Sequence, residues 1–154
     1  MDVLIRPYTP LDRPALEFLF GRLSPESRYQ RFFSVKRALT PADLARLTAV
    51  DHWHHEALLA FSPWPRAPIG VARYVRTEDF DVAELAVTVV DAWQRRGVGT
   101  ALLAALRERA AAAGIRRFTY TMLPENRGAR ALAQHVAFTA PPASSRRSRP
   151  AACR

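Results

Sequence analysis

Cysteine is nearly absent from this sequence of 154 residues, in which Cys153 is the single example. An intramolecular disulfide is therefore impossible, and cysteine offers almost nothing from which to build a metal site or a nucleophile. Because disulfide-free proteins are typical of reducing compartments, we expect a cytoplasmic protein.

Long apolar runs are missing as well. No segment approaches the roughly 18 consecutive apolar residues that a membrane-spanning helix requires. The opening residues MDVLIRPYTP lack the basic and apolar segments of an export signal. We therefore expect neither membrane insertion nor export. With 49% apolar and 24% charged residues, the composition predicts one globular domain.

Lysine is also scarce, since Lys36 is the only one among 23 basic residues, and the formal net charge is +9. Four arginines lie in the last fifteen residues, which contain no acid, and without these four charges the net charge is +5. An arginine bias of this kind is more typical of genome coding than of a recognition surface. Since basic content alone indicates only non-specific attraction, we do not expect nucleic acid to be the partner.

Hydrophobic periodicity and turn residues predict both helices and strands. A mostly helical first third follows a short strand, and the proline-rich SPWPRAP separates two strands of a hairpin. Next comes a central strand in which Glu84 and Thr88 share one face. The predicted strands are residues 3–5, 57–61, 69–75, 82–90 and 115–122, and the predicted helices are residues 11–23, 25–32, 41–49, 100–113 and 126–136.

The order of strand, glycine turn, helix and strand between residues 82 and 122 predicts a right-handed crossover joining two parallel strands. Gly114 is expected to end the helix of this unit. Beyond Phe138 the sequence has no apolar periodicity and a disorder-like composition. We therefore predict a domain at residues 1–139 and a disordered tail, rich in Arg, Pro, Ser and Ala, at residues 140–154.

The turn QRRGVGT follows the predicted central strand and opens a helix. Glycines let the backbone approach a pyrophosphate, and a helix N-terminus supplies N–H groups and about half a positive charge. Arg95 and Arg96 add cations at the rim. A glycine turn can merely start a helix, but the preceding strand and the basic pair favour a phosphate site. Neither a Rossmann fingerprint nor a P-loop is present, because a third glycine and a GK[ST] are missing.

QRRGVG resembles the [QR]-x-x-G-x-[GA] signature of the GNAT acyltransferases. Three segments, LSPESRYQRFF, AELAVTVVDAWQRRGVGTALL and LPENRGARALAQHVAF, are similar, in the same order, to the GNAT domain of bacterial Pat-type protein lysine acetyltransferases. The resemblance covers residues 3–138 and implies the GNAT N-acyltransferase fold, an α/β fold with a mixed sheet. It also implies transfer of acetyl from acetyl-CoA to an amine, in the first place a protein lysine, with an acceptor protein such as an acyl-CoA synthetase as partner.

The same resemblance implies which residues bind acetyl-CoA. Backbone N–H groups from Arg96 to Thr100 would hold the pyrophosphate, and the strand around Thr88 would lie along the pantetheine. An amide at Val89 or Val90 would polarise the thioester carbonyl. Asn126 would contact the CoA arm, although it could equally cap a helix. The full implied set is Thr88, Val89, Val90, Gln94, Arg95, Arg96, Gly97, Val98, Gly99, Thr100 and Asn126.

Glu84 is the candidate general base. A lysine amine has a reference pKa of about 10.4, so attack on a thioester requires removal of its proton, directly or through water. A glutamate near the start of this strand matches the GNAT position that removes it. The alternative is a solvated charge at the entrance of a strand.

The sequence departs from the family pattern in several places. Ala133 stands where many members have a tyrosine that protonates the leaving thiolate, and Tyr120 is a poor substitute by position. Ala137 replaces the usual glycine before Phe138. No sequence for the usual C-terminal β-hairpin follows, which would expose a strand edge and favour a homodimer. A small-molecule amine acetyltransferase and a catalytically weak acyl-CoA-binding module therefore remain as alternatives.

Two further groups of residues are assigned no role in the chemistry. His52, His54 and His55 would supply at most two metal ligands on one face, so we predict no metal site. Arg28 and Arg31 could line a substrate entrance, but such arginines are more often the solvated face of an amphipathic helix.

Overall fold

A mixed five-stranded sheet with helices on both faces forms the framework. The computed structural model describes residues 2–32 and 37–120. The strands are β1 Leu4–Pro7, β2 His55–Phe61, β3 Pro68–Arg76, β4 Val82–Val89 and β5 Arg117–Tyr120, and the helices are α1 Arg13–Gly21, α2 Pro25–Phe32, α3 Pro41–Thr48 and α4 Val98–Ala112. The strands lie in chain order, antiparallel from β1 to β4 and parallel between β4 and β5. The predicted mixed sheet and parallel crossover are confirmed.

Successive residues of β3 show which helices cover which face. A Cβ on Gly70 would lie 3.0 Å from Leu102 of α4, so α4 packs closely on that face. Val71, the next residue, lines a cleft together with Leu16 and Leu19 of α1. Because side chains alternate along a strand, α1 and α4 lie on opposite faces of the sheet.

Helix α4 begins two residues earlier than predicted, at Val98 instead of Thr100. Its N-cap is Gly97, which has a left-handed φ of 84°, and Val98 is buried in the core. The helix ends as predicted at Gly114, with φ 81°. There the Ile115 N–H donates to Ala110 O at 3.0 Å and the Gly114 N–H to Ala111 O at 3.1 Å, the pattern of a Schellman cap.

Helix α1 is shorter than predicted, because the chain first makes a 3-10 turn at Pro10–Asp12. The Asp12 carboxylate accepts bonds of 2.7 and 2.8 Å from the Arg6 guanidinium and one of 2.8 Å from the Thr9 N–H. Those contacts fix the turn outside the helix. Leu11, predicted on the apolar stripe of α1, is 89% exposed as a result.

Several predictions fall outside the described residues. These are the helix at residues 126–136 with Asn126 and Ala133, the change at Ala137, the missing hairpin, the tail at residues 140–154 and the last two residues of the predicted strand at 115–122. Within the described part of the chain, no helix has the length and apolar character needed to cross a membrane. In the same residues, no group of three or more His, Cys, Asp or Glu side chains could hold a metal ion.

Candidate active site

The turn between β4 and α4 is exposed where a ligand could approach. Gln94, Arg95, Arg96 and Gly97 are all exposed, and Arg96 stacks over the Trp93 ring at 5.0 Å. A Cβ on Gly97 would meet no atom within 4 Å, so open space lies beside the turn. Arg95 has a positive φ of 59°, which few residues other than glycine adopt.

Helix α4 presents its unpaired N–H groups to this space. The first N–H groups of a helix have no partner within the helix, and glycine as N-cap has no side chain to accept from them. Val98 and Gly99 are buried while Thr100 is exposed. The buried pair therefore anchors the helix start in the core, and the backbone around it is the helix N-terminus at which the sequence predicts an anion site.

Asp91 ties the turn to helix α2. Its carboxylate accepts bonds from the Ser24 N–H at 3.0 Å, the Ser24 hydroxyl at 2.8 Å and the Ser27 hydroxyl at 3.0 Å. Partial burial alone would raise the pKa of Asp91, but these donors hold it below its ordinary value. The sequence places Asp91 only in the turn. Its hydrogen bonds could not be predicted, because the partner serines are more than sixty residues away.

The end of β4 offers one backbone amide and not two. The Val90 N–H donates to Ile69 O at 2.9 Å, so it is used inside the sheet. In an antiparallel ladder the N–H groups of successive residues point to opposite edges, which directs the Val89 N–H away from β3. The described pairing of β4 with β5 ends at Leu85 and Tyr120. Of the two amides predicted to polarise a thioester, only that of Val90 is used inside the described sheet, and that of Val89 points away from β3.

Glu84 and Thr88 lie on the same face of β4, as predicted. Thr88 lines a cleft between the sheet and helices α1 to α3 that encloses about 340 Å³, including space open to solvent. Glu84 is half-buried and close enough to Arg31 for its charge to oppose the lowering of the Arg31 pKa by burial. Tyr120 pairs with Leu85 and so lies on the other face of the sheet from Glu84, in line with the prediction that it is a poor substitute for the tyrosine acid.

Arginine side chains line the same cleft, and the sequence did not predict them there. Arg31 of α2 and Arg73 of β3 are both lining residues, so Arg31 is not the solvated side chain that we predicted. Burial and the neighbouring Arg46 lower the pKa of Arg31 to about 10. Burial and the cations of Arg31 and Arg46 lower the pKa of Arg73 to about 9. Three guanidinium groups therefore lie near one another beside Glu84.

Arg28, by contrast, has contacts that stabilise the fold. Its guanidinium packs over the Phe20 ring at 4.4 Å and donates to Arg37 O at 3.1 Å.

The signal that could have distinguished Arg73 was a single charge within the apolar run IGVARYV. A charged side chain such as Arg73 is seldom buried in a strand unless it has a partner or a function. Periodicity alone does not show whether an arginine on a helix, such as Arg31, is buried.

Comparison with known proteins identifies this arrangement. The model of the Acetyltransferase (GNAT) family matches residues 25–138. An acetyltransferase from Pseudomonas aeruginosa is 30% identical over 138 residues, covering 88% of this chain and 74% of that protein. The acetyltransferase Pat of Mycolicibacterium smegmatis is 36% identical over 104 residues, covering 67% of this chain but only 31% of that longer protein.

A solved structure agrees with the sequence matches. The crystal structure of the GNAT domain of S. lividans PAT superposes with a TM-score of 0.78 at 34% identity, covering 84% of this chain and 77% of that domain. The glycine turn at the start of α4, the strand β4 before it and the family match thus point to one activity. This chain belongs to the GNAT family and is an acetyl-CoA-dependent N-acetyltransferase.

Proposed function

We propose that the acceptor is the side-chain amine of a protein lysine, and that Glu84 is the base that removes its proton. The observation that carries this proposal is the position of Glu84 on the same face of β4 as Thr88, which lines the cleft and lies four residues further along the strand. A half-buried carboxylate there can accept a proton from an amine entering the cleft, directly or through water.

The donor is proposed to bind at the turn before α4. The N–H groups of Arg96 to Thr100 would hold the pyrophosphate, helped by Arg95, and the pantetheine would run along Val89 toward Thr88. Gln94 would act by holding the turn against β4. Asn126 stays a proposed contact to the CoA arm, and Val90 supports the site through its position in the sheet.

The proposed reaction is a direct transfer. The neutral lysine nitrogen attacks the thioester carbonyl carbon, the carbonyl oxygen becomes an oxyanion that accepts from the Val89 N–H, and the carbon–sulfur bond then breaks. Before the attack Glu84 takes one proton from the lysine ammonium, directly or through water, and later returns it to solvent. The tetrahedral intermediate loses a second N–H proton to solvent, and CoA leaves as a thiolate that takes one proton from solvent, so one proton is released overall. General-base catalysis of this type contributes about 100-fold to 10,000-fold in rate.

The test compares the protein with its Glu84→Gln variant. Each is incubated with acetyl-CoA and a lysate of bacterial proteins, and new acetyl-lysines are mapped by mass spectrometry. We expect the wild-type protein to acetylate a small set of lysines and the variant to lose this activity by at least about 100-fold. Isothermal titration should show the same Kd for CoA in both, because Glu84 lies outside the proposed donor site.

Other results would favour the alternatives. Acetylation of small amines without acetyl-lysine would indicate a small-molecule acetyltransferase. CoA binding without transfer to any amine would indicate an acyl-CoA-binding module. Assembly as a homodimer and a cytoplasmic location stay predictions from the sequence, and sedimentation of the 154-residue chain tests the first.

A further inference from the structure

The arginines of the cleft have no place in the proposed transfer step. Arg73 is only 5% exposed, yet it lines the cleft together with Arg31 and Thr88. Its Nη1 donates to Leu47 O at 3.0 Å and lies 3.3 Å from the Nε2 of His55. Within the described residues, its Nη2 and Nε have no hydrogen-bond acceptor. A buried guanidinium of this kind is poised to bind an anion from the cleft.

We propose that Arg31 and Arg73 bind a carboxylate of the acceptor, so that the enzyme selects a lysine with an aspartate or glutamate close to it in the acceptor chain. The inference rests on the proposed function, since it names the kind of lysine that this site accepts.

The charges around the cleft support an anionic occupant. Among the described residues, Arg31, Arg46 and Arg73 are three cations that act on one another, and Glu84 and the Asp43 carboxylate, 3.3 Å from Arg46, are acids that lie near them. His55 adds no charge at neutral pH, because burial and the Arg73 cation lower its pKa to about 4. A carboxylate that entered the cleft would lie beside these guanidinium groups, and in a half-buried site such a pairing is worth more than on an open surface.

The register of the sheet sets the distance between the two parts of the acceptor. Arg73 pairs directly with Ala86, which lies between Glu84 and Thr88 on the same face of β4. Diagonal neighbours of this type have Cα atoms roughly 7–8 Å apart. In an extended chain, side chains two residues apart lie on one face with a spacing of about 6.6 Å. An acidic residue two positions from the lysine would therefore reach Arg73 while the amine lies near Glu84.

The test uses two peptides that differ at one position. Both contain a central lysine, and the residue two positions away is glutamate in one and glutamine in the other. We expect the wild-type protein to prefer the glutamate peptide by about tenfold or more in kcat/KM, a typical effect of one charged hydrogen-bonded pair. Arg31→Gln should lose most of this preference while still acetylating the glutamine peptide. Arg66→Gln, the same change on an exposed loop, should keep the preference.

A second variant guards against misfolding. Arg73→Gln should remove the preference as well. Circular dichroism of this variant reports whether the buried substitution has unfolded the protein. If it has, the test of the inference depends on Arg31→Gln alone. Equal turnover of the two peptides by the wild-type protein, or a preference unchanged in Arg31→Gln, would overturn the inference. A preference for succinyl-CoA over acetyl-CoA would also overturn the inference if Arg31→Gln abolished it with both peptides. The carboxylate bound by the arginines would then belong to the acyl donor.

The inference and the proposed function fail in different ways. If neither peptide is acetylated, the lysine assignment is wrong, and titration of both peptides into the CoA-bound protein decides the carboxylate question by itself. Tighter binding of the glutamate peptide that disappears in Arg31→Gln supports the arginine site, and equal binding of the two peptides contradicts it.

Discussion

The side-chain amide of Gln94 donates a hydrogen bond of 3.0 Å to the backbone carbonyl of Val89. The same amide donates to the Ser27 hydroxyl at 3.2 Å. Because the N–H and C=O of one strand residue point to the same edge, Gln94 holds the turn beside the amide proposed to bind the thioester. The Gln94 side chain thus links the turn to the end of β4. From its place in the QRRGVG signature, only a contact with CoA was predicted for it.

Replacing Gln94 by methionine tests this link. Gln94→Met keeps the length of the side chain but removes its donor, so we expect the free energy of unfolding to fall by about 1 kcal/mol. The KM for acetyl-CoA should rise about fivefold, because the turn is no longer held against β4. Ser27→Ala removes the second acceptor of Gln94 and one bond to Asp91, but it keeps the bond from Gln94 to Val89, so it should change KM less. Steady-state kinetics measure both, and an unchanged KM in Gln94→Met would contradict the assignment.

Two glycines at opposite ends of α4 provide a matched comparison. Gly97 and Gly114 have φ of 84° and 81°, and a Cβ on either would meet no atom within 4 Å. Alanine at each position should therefore cost a similar 1–2 kcal/mol, roughly the penalty of a left-handed conformation. Only Gly97→Ala places a methyl group in the proposed pyrophosphate space, and we expect its Kd for CoA to rise at least about tenfold. Calorimetry showing equal Kd values for the two variants would move the donor site elsewhere.

His55 should make the fold sensitive to mild acid. Burial and the Arg73 cation lower its pKa to about 4, against a reference of 6.5 in the unfolded chain. Between these values the unfolded state binds more protons, so stability falls as the pH decreases from 6.5 toward 4. The loss from this residue between pH 7 and pH 4 is about 3 kcal/mol.

Urea unfolding at several pH values measures the effect. His55→Gln should flatten the dependence between pH 6.5 and 4, and His54→Gln, on an exposed side chain that contacts Asp51, is the comparison and should change it less. The lowered pKa values of Asp12 and Asp91 also favour the folded state, but their contribution is lost at lower pH, below the ordinary range for aspartate. A wild-type slope in His55→Gln would show that this histidine is not neutral when buried.

Glu56 is a fourth point at which the structure can be tested. Its carboxylate is 1% exposed and accepts from Arg109 Nε of α4 at 2.8 Å and from the Ala57 N–H at 3.0 Å. Arg109→Met should lower the free energy of unfolding by about 2 kcal/mol, because it removes an arginine cation from a buried carboxylate. The loss stays below that of a fully buried pair, since Arg109 is half-exposed and His52 Nδ1 still contacts the carboxylate at 2.7 Å. Glu56→Gln in the same background should recover part of the loss, and simple additivity in this double-mutant cycle would contradict the pairing.

The sequence predicted the sheet because its signals are local. The alternation from Val82 to Val89, the glycine turn and the stop at Gly114 each determine structure through neighbouring residues, and the order of strand, helix and strand then requires a parallel crossover. The error at the start of α4 arose because Gly97 was counted with the turn, whereas its left-handed φ makes it the N-cap. Boundaries of this kind depend on a single dihedral angle that residue type does not determine.

The arginines of the cleft could not be predicted, because their environment is built from distant parts of the chain. Arg31 lies on a polar helix, and only the packing of α2 near β4 turns it toward Arg73. The contact of Asp91 with Ser24 likewise joins residues 67 positions apart. A charged residue within a buried strand was visible at Arg73, but nothing local distinguishes a residue buried for packing from one that faces a cleft.

The bonds from Asp91 to Ser24 and Ser27 determine more than the position of a helix end. Helix α2 begins at the turn that precedes α4, and Arg31 lies in its last turn, at the cleft. From Pro25 to Arg31 the helix rises about 9 Å at 1.5 Å per residue. One short helix thus sets the spacing between the proposed docking points of the two reactants, so lengthening α2 by a turn would displace one substrate from the other without altering any residue that touches them.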